Sequence, residues 1–152
     1  MSEFFKKAWE EVISPMMRRP SMRQVAALCY RNGDAGKEVL LVTSRNSGRW
    51  ILPKGWHEDG MTAPDAAARE AWEEAGVKKG AIADKPVGQF AYRKQLDNGV
   101  AANCDTAVFP LKVKKMSGEF PEAGERKREW VSPERAAEMV NEPGLRRILR
   151  AF

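Results

Sequence analysis

The stretch that decides the fold runs from Gly55 to Val77 and reads GWHEDGMTAPDAAAREAWEEAGV. Its second half predicts a helix, because alanine, which has the highest helix propensity, recurs through it. Thr62 suits the N-cap, and Asp65 lies three residues later near the positive end of the helix dipole. Gly76 suits the left-handed residue that ends many helices. The stretch is therefore predicted to form a loop, a helix and a second loop.

Three carboxylates share one face of this helix. Side chains three and four positions apart are neighbours on a helix, which groups Glu70, Glu73 and Glu74. At an effective dielectric constant near 20, two such charges about 4 Å apart repel by about 4 kcal/mol. A contact between Arg69 and Glu73 offsets only part of this repulsion. An isolated acidic face is usually just solvated, but a divalent cation that prefers oxygen ligands would relieve the repulsion better.

The spacing of these residues resembles the Nudix box, G-x5-E-x7-R-E-U-x-E-E-x-G-U, in which U is a bulky apolar residue. The matching residues are Gly55, Arg69, Glu70, Glu73, Glu74, Gly76 and Val77. The resemblance implies an α/β fold, an α/β/α sandwich on a mixed β-sheet, and a cation-assisted attack of water on a phosphoanhydride. It also implies Mg²⁺ as the cofactor, with Mn²⁺ as a substitute.

The resemblance assigns a role to each matching residue. Glu70, Glu73 and Glu74 become metal ligands, together with the carbonyl oxygen of Gly55. The catalytic residues are Glu70, Glu74 and Arg69: Glu70 activates the attacking water, and Arg69 holds the carboxylates in place. Such a glutamate serves as a general base without any histidine.

Two positions depart from the pattern. Ala71 stands where a larger apolar residue is usual, and Met61 occupies the place of the first glutamate. Met61 removes one carboxylate, although the helix carboxylates are more central in the family, so activity is expected to survive. Glu58 and Asp59 in the adjoining loop are candidates to compensate. The departure leaves open a non-catalytic protein that binds a phosphorylated ligand.

Outside the box, residues from about 22 to 131 resemble the diphosphoinositol polyphosphate phosphohydrolase branch. The segments that carry this resemblance are LLVTSR at 40–45, RWILPKG at 49–55, EEAGVK at 73–78 and RKREW at 126–130. It implies inositol pyrophosphates or dinucleoside polyphosphates as substrates. It also implies candidate phosphate contacts at Arg23, Ser44, Arg45, Lys54 and Arg128.

Other substrates stay open from the sequence. They are ADP-ribose, a nucleotide sugar and a 5′-triphosphorylated RNA end. Basic residues that converge at the mouth of one pocket would favour inositol pyrophosphates or dinucleoside polyphosphates. Two aromatic rings enclosing a base would favour another nucleotide.

Composition limits the partners further. The chain has 152 residues and a formal net charge of +5, which favours a polyanionic partner such as a small polyphosphorylated molecule. Its basic residues form scattered pairs rather than one stripe, so nucleic acid is not expected as the main partner.

No apolar run is long enough to span a bilayer and no secretory signal is visible, so no membrane partner and a cytoplasmic location are expected. Cys29 and Cys104 are interpreted as buried thiols in a reducing compartment. Either a monomer or a homodimer is compatible with these features.

The remaining chain organises around the box. Residues 1–20 predict an N-terminal amphipathic segment, and residues 21–152 form the Nudix domain. Strands are expected at about 22–31, 38–44, 87–95, 102–113 and 128–131, with a turn at 97–99 and a short extended piece at 49–53. One helix is expected after Ser132, and Pro143-Gly144 separates it from a last helix at 145–152.

Overall fold

The structure, a computed structural model, describes residues 22–95 and 98–152. These residues form eight strands and three helices. The strands are β1 (Met22–Gly33), β2 (Gly36–Thr43), β3 (Trp50–Ile51), β4 (Lys54–Trp56), β5 (Val77–Ile82), β6 (Gly88–Gln95), β7 (Ala101–Met116) and β8 (Arg128–Val131). The helices are α1 (Ala63–Ala75), α2 (Pro133–Met139) and α3 (Pro143–Ala151). The predicted segment at 1–20 and part of the predicted turn at 97–99 lie outside the described residues.

All of the strands belong to one mixed sheet. Its main order is β3-β2-β1-β7-β5, while β4 pairs with β1, β6 with β7 and β8 with β2. β1 and β7 run parallel along most of β1, and every other pair is antiparallel. The mixed sheet that the sequence implied is therefore confirmed, with β1 and β7 at its centre.

Alternation along β1 divides the core into two layers. Val25, Ala27 and Cys29 belong to the apolar cluster that packs against α1. Ala26 and Leu28 point to the opposite face, into a second cluster that includes residues of α2 and α3. Successive side chains of a strand point to opposite faces, so a fully buried strand separates two cores. Helices thus cover both faces of the sheet, which confirms the α/β/α sandwich.

The helix α1 begins and ends where the sequence indicated. The Thr62 hydroxyl accepts a hydrogen bond from the backbone N–H of Asp65 at 3.2 Å, a cap that contributes about 1 kcal/mol. Gly76 has a φ of 74°, in the left-handed region where glycine is favoured. Ala71 is fully buried, and its single methyl group allows α1 to lie close to the sheet.

Two strands were not predicted, and one helix starts earlier than expected. β4 lies mostly in the first predicted loop, whereas β5 runs from Val77 into residues 78–82, for which no element was predicted. β5 lacks apolar alternation and exists through its pairing with β7. The last helix includes Pro143 and Gly144 in its first turn, because proline lacks the N–H that a first turn leaves unpaired.

Two further features bear on the expectations from composition. Cys29 and Cys104 are both free and buried, as expected. Among residues 22–95 and 98–152, no helix has the length and apolar character needed to cross a bilayer.

Candidate active site

A cleft of about 700 Å³ opens beside α1, between β4, β6 and the loops at 44–49 and 117–127. Acidic and basic side chains line it together. The acidic ones are Glu58, Glu70, Glu73, Glu74 and Glu122. The basic ones are Arg45, Arg49, Lys54, Arg93, Lys94 and Arg126. The three carboxylates predicted from the helix register therefore share one cleft with several scattered basic groups.

Gly55 lets the first of these carboxylates approach the backbone. Gly55 lies in β4 opposite Val25 of β1. A Cβ atom at this position would overlap the carboxylate of Glu70. Because the φ of Gly55 is not positive, its backbone conformation does not require glycine. The glycine is required by the close approach of the Glu70 carboxylate.

Glu74 is the most buried carboxylate of the cleft. Its Oε2 accepts a hydrogen bond from the backbone N–H of Lys54 at 2.6 Å, and its Oε1 lies 2.7 Å from Nη2 of Arg126. Burial raises the pKa of Glu74 to about 8, and repulsion from Glu70 adds to this, although Arg126 opposes it. Burial and the charge of Glu73 likewise raise the pKa of Glu70. Both shifts favour the protonated, neutral forms of these two carboxyls.

Arg69 holds two acidic groups at the cleft. Its Nε lies 3.0 Å from Oε1 of Glu73, and its Nη1 lies 3.4 Å from Oε2 of Glu58. The same Nη1 contacts the sulfur of Met61 at 3.8 Å. Arg69 therefore brings the loop carboxylate of Glu58 to the cleft, beside the position where the box normally supplies a glutamate.

Lys54 is fixed at the floor of the cleft by two residues that the sequence did not single out. Its Nζ donates to the hydroxyl of Tyr92 at 2.7 Å and lies 3.4 Å from Oε1 of Gln24. The Tyr92 hydroxyl in turn donates to Gln24. Burial and, to a smaller extent, the charge of Lys94 lower the pKa of Lys54 to about 8. Gln24 and Tyr92 are single polar residues in strands, so no sequence pattern marks them.

Arg126 is a third residue that sequence reasoning missed. Its side chain is only 7% exposed and links Glu74 to Glu122, with Nη2 at 2.7 Å and 3.1 Å from the two carboxylates. Glu122 also lies 3.3 Å from Nε of Arg45, so a chain of alternating charges runs from the floor of the cleft to its mouth. The three consecutive basic residues at 126–128 were visible in the sequence, but their pattern does not show which of them faces the cleft.

The loop at 117–127 is fastened to the C-terminal end of α1. The backbone N–H of Glu122 donates to the carbonyl of Glu73 at 3.0 Å, and that of Ser117 donates to the carbonyl of Gly76 at 2.8 Å. Nη1 of Arg128 donates to the carbonyls of Ala75 and Ser117 at 2.8 and 2.9 Å. These bonds satisfy carbonyl groups that a helix end leaves unpaired.

The predicted phosphate contacts fall into two groups. Ser44, Arg45 and Lys54 line the cleft. Arg128 is instead engaged by backbone carbonyls at the end of α1, and Arg23 lines a separate pocket of about 360 Å³. The structure does not bring these two arginines to the carboxylates, because their positions in β1 and β8 direct them away from the cleft.

The chemistry of the donor set fits a divalent cation. Carboxylate oxygens from Glu70, Glu73 and Glu74 and the backbone at Gly55 line one wall, and hard cations prefer such ligands. Across residues 22–95 and 98–152, no three acidic, histidine or cysteine side chains form a ready coordination site. The reason is that Glu74 pairs with Arg126 and Glu73 pairs with Arg69. A bound cation would share these carboxylates with the two arginines, since a carboxylate offers two oxygens with two lone pairs each.

The raised pKa of Glu74 predicts how stability depends on pH without a divalent cation. A carboxyl whose folded pKa is raised stabilises the fold below its unfolded pKa, and that contribution is lost as pH rises through about 8. We expect the melting temperature in EDTA to fall by several degrees between about pH 5 and pH 8. Glu74→Gln, which cannot titrate, is the control and should flatten this fall. An equally steep fall in that variant would contradict the assignment to Glu74.

Known proteins are similar to this chain in sequence and in structure. The sequence model of the NUDIX domain family matches residues 22–152. Nudix hydrolase 12, mitochondrial, of Arabidopsis thaliana is 36% identical over 118 residues, which cover 76% of this chain and 58% of that protein. Diphosphoinositol polyphosphate phosphohydrolase 3-alpha of Mus musculus is 32% identical over 120 residues, which cover 78% of this chain and 68% of that protein. The crystal structure of a C. elegans Ap4A hydrolase binary complex has a TM-score of 0.60 at 22% identity and covers 86% of this chain and 94% of that chain.

These similarities differ in what they establish. The structural likeness at 22% identity concerns the fold alone. The match to the Arabidopsis protein spans 58% of that protein's length. The family match covers residues 22–152, including the box at Gly55 to Val77 and the cleft that it lines. The chain belongs to the Nudix hydrolase family.

Proposed function

We propose that this protein is a Mg²⁺-dependent Nudix pyrophosphohydrolase that cleaves a phosphoanhydride bond in an inositol pyrophosphate or a dinucleoside polyphosphate. The observation that carries the proposal is the composition of the cleft. One wall carries carboxylates of the box, and Arg45, Arg49, Lys54 and Arg93 line the same space. Carboxylates suit the cation and the basic groups suit a substrate with several phosphates.

Each residue has a chemical task in this proposal. Glu70, Glu73, Glu74 and the Gly55 carbonyl hold the cation. When bound, Mg²⁺ neutralises phosphate oxygens and lowers the pKa of bound water. Glu70 accepts the proton of the attacking water at its carboxylate, which lies close against β4 because Gly55 has no Cβ atom there.

The basic residues bind the phosphates that do not react. Lys54 is held at the floor of the cleft by Tyr92, and Arg45 lies at the mouth beside Glu122. Ser44 builds the loop between them, since its hydroxyl accepts a hydrogen bond from the backbone N–H of Arg49 at 3.1 Å. We do not propose Arg23 or Arg128 as substrate contacts, because both lie away from the cleft.

The two substrate classes draw support from different sources. The sequence relative from mouse is named for diphosphoinositol polyphosphates, whereas dinucleoside polyphosphates are implied by the resemblance of residues 22–131 to the same branch. Both molecules carry dense negative charge, which the formal net charge of +5 suits. A non-catalytic binding protein is the second candidate because of Met61. Glu58, which lies at the cleft in contact with Arg69, favours the enzyme instead.

Phosphate release tests the proposal directly. The purified protein is given an inositol pyrophosphate, a dinucleoside polyphosphate, ADP-ribose and a nucleoside triphosphate, each with Mg²⁺ and with EDTA. EDTA-sensitive turnover of the first two substrates supports the proposal. Thermal stabilisation by these ligands without turnover would point to the binding protein. Turnover of ADP-ribose alone would reject the proposed substrate classes.

Tyr92 should matter to substrate affinity through Lys54. Tyr92→Phe removes the hydroxyl that accepts from Nζ of Lys54 at 2.7 Å. One lost hydrogen bond to a charged group contributes about 1.5 kcal/mol, so we expect KM to rise about tenfold with little change in kcat. Steady-state kinetics with the best substrate of the panel measures both constants.

Tyr30→Phe is the matched control for this variant. Tyr30 lies on β1 and packs edge-on against Phe152, with ring centroids 5.2 Å apart, away from the cleft. Its KM should equal that of the unmodified protein. A similar rise in KM in both variants, or a loss of kcat alone in Tyr92→Phe, would argue against the positioning role.

A further inference from the structure

Trp56 exposes an aromatic surface inside a polar cleft. It is 40% exposed and lines the cleft directly after Gly55. The other large hydrophobic residues exposed in the described ranges, Val87 and Val100, do not line the cleft. Tryptophan is a large residue that is mostly buried in folded proteins, and it contributes strongly to binding where it is exposed. The indole of Trp56 is therefore available to a ligand.

The surroundings of Trp56 show what kind of group its ring accepts. Nζ of Lys94 lies 4.9 Å from the ring centroid, so a face of the indole is turned toward β6 and takes an electron-poor partner. Tyr92, the other aromatic residue of the cleft, has its hydroxyl bonded to Lys54 and Gln24 and its ring near that of Phe90. Among the described residues that line the cleft, Trp56 is thus the aromatic ring with a large exposed surface, and one of its faces lies under Lys94.

We propose that Trp56 is a stacking platform for a nucleobase, and that the preferred substrate is a dinucleoside polyphosphate rather than an inositol pyrophosphate. The inference rests on the proposed function for the binding of the phosphates. A nucleobase is flat and stacks on an indole, whereas an inositol pyrophosphate carries phosphates around a puckered ring and is bound by cations. Trp56 follows Gly55 in β4, so its ring lines the same cleft as the carboxylates. Lys94 leaves the indole and faces the phosphates when the base is bound.

Trp56→Leu and Trp56→Phe test this inference. Leucine removes the aromatic face, and phenylalanine keeps it. With a dinucleoside tetraphosphate, we expect Trp56→Leu to raise KM by about tenfold to a hundredfold, the range for one stacked base, and Trp56→Phe to change it by about threefold or less. With an inositol pyrophosphate, both variants should match the unmodified protein. Trp130→Leu is the control, since Trp130 lies under Arg31 with the cation 4.1 Å from its ring and outside the cleft.

A binding experiment separates this inference from the proposed function. Affinities for ADP and for inorganic pyrophosphate are measured by calorimetry in the same variants, which requires no turnover. Weaker ADP binding in Trp56→Leu with unchanged pyrophosphate binding supports the platform, even where no substrate is hydrolysed and the proposed activity fails. Equal loss of both ligands, or no loss of either, overturns the platform while leaving the proposed activity intact. The melting temperature of each variant verifies that the fold is retained.

Discussion

Glu74→Gln is expected to lower kcat by about two orders of magnitude or more while the fold is retained. The amide keeps the shape of the side chain, and its carbonyl oxygen still accepts the hydrogen bond from Lys54. It loses the negative charge that binds the cation and that faces Arg126 at 2.7 Å. Because Glu74 is the most buried carboxylate of the cleft, solvent screens this loss of charge only weakly.

The measurement is the steady-state rate at saturating Mg²⁺ with circular dichroism to verify the fold. Glu138→Gln is the matched control, because Glu138 pairs with Arg135 on the exposed side of α2 and lies outside the cleft. That variant should keep full turnover. Near-normal turnover in Glu74→Gln would remove Glu74 from the metal site and with it the proposed mechanism.

Gly55→Ala is expected to have the second largest effect, through Glu70. The added Cβ atom would overlap the Glu70 carboxylate, so either that side chain or β4 must move. Overpacking of this kind costs about 1–3 kcal/mol of stability, and displacement of a catalytic group by about 1 Å lowers turnover by about a hundredfold. We expect both effects, measured as a lower melting temperature and a lower kcat.

Gly124→Ala provides the comparison for this variant. Gly124 also precedes a cleft-lining segment, but a Cβ atom there meets no atom within 4 Å and its φ is not positive. Its melting temperature and kcat should stay close to those of the unmodified protein. If Gly55→Ala behaves like Gly124→Ala, the close contact between Gly55 and Glu70 is not required for catalysis.

The parts of the fold that could be predicted are those with strong local signals. Thr62 and Gly76 mark both ends of α1 because capping depends on a few neighbouring atoms. β1 is recognisable because burial on both faces requires a continuous apolar run. β5 has no such signal, since its residues are mostly exposed and its pairing with β7 depends on a segment far along the chain.

The same distinction holds for the candidate site. The carboxylates at 70, 73 and 74 follow from the helix period alone, and the structure places all three in the cleft. Arg126 and Arg128 are two residues apart, yet one faces Glu74 and the other faces the carbonyl of Ala75. Which of them enters the cleft depends on how the loop at 117–127 crosses α1, and that is a tertiary property.

The attachment of this loop to α1 limits where residues can be inserted into the chain. Two backbone bonds, to Glu73 and Gly76, fix the path of the chain at Glu122 and Ser117. The length between these anchors is therefore set by the geometry of a helix end, so an inserted residue there would shift Glu122 and Arg126 relative to Glu74. The hairpin turn at Asp34-Ala35 does not line the cleft, so it is a suitable place for a tag or an insertion. Although separated in sequence, the box and the loop form one structural unit at the cleft.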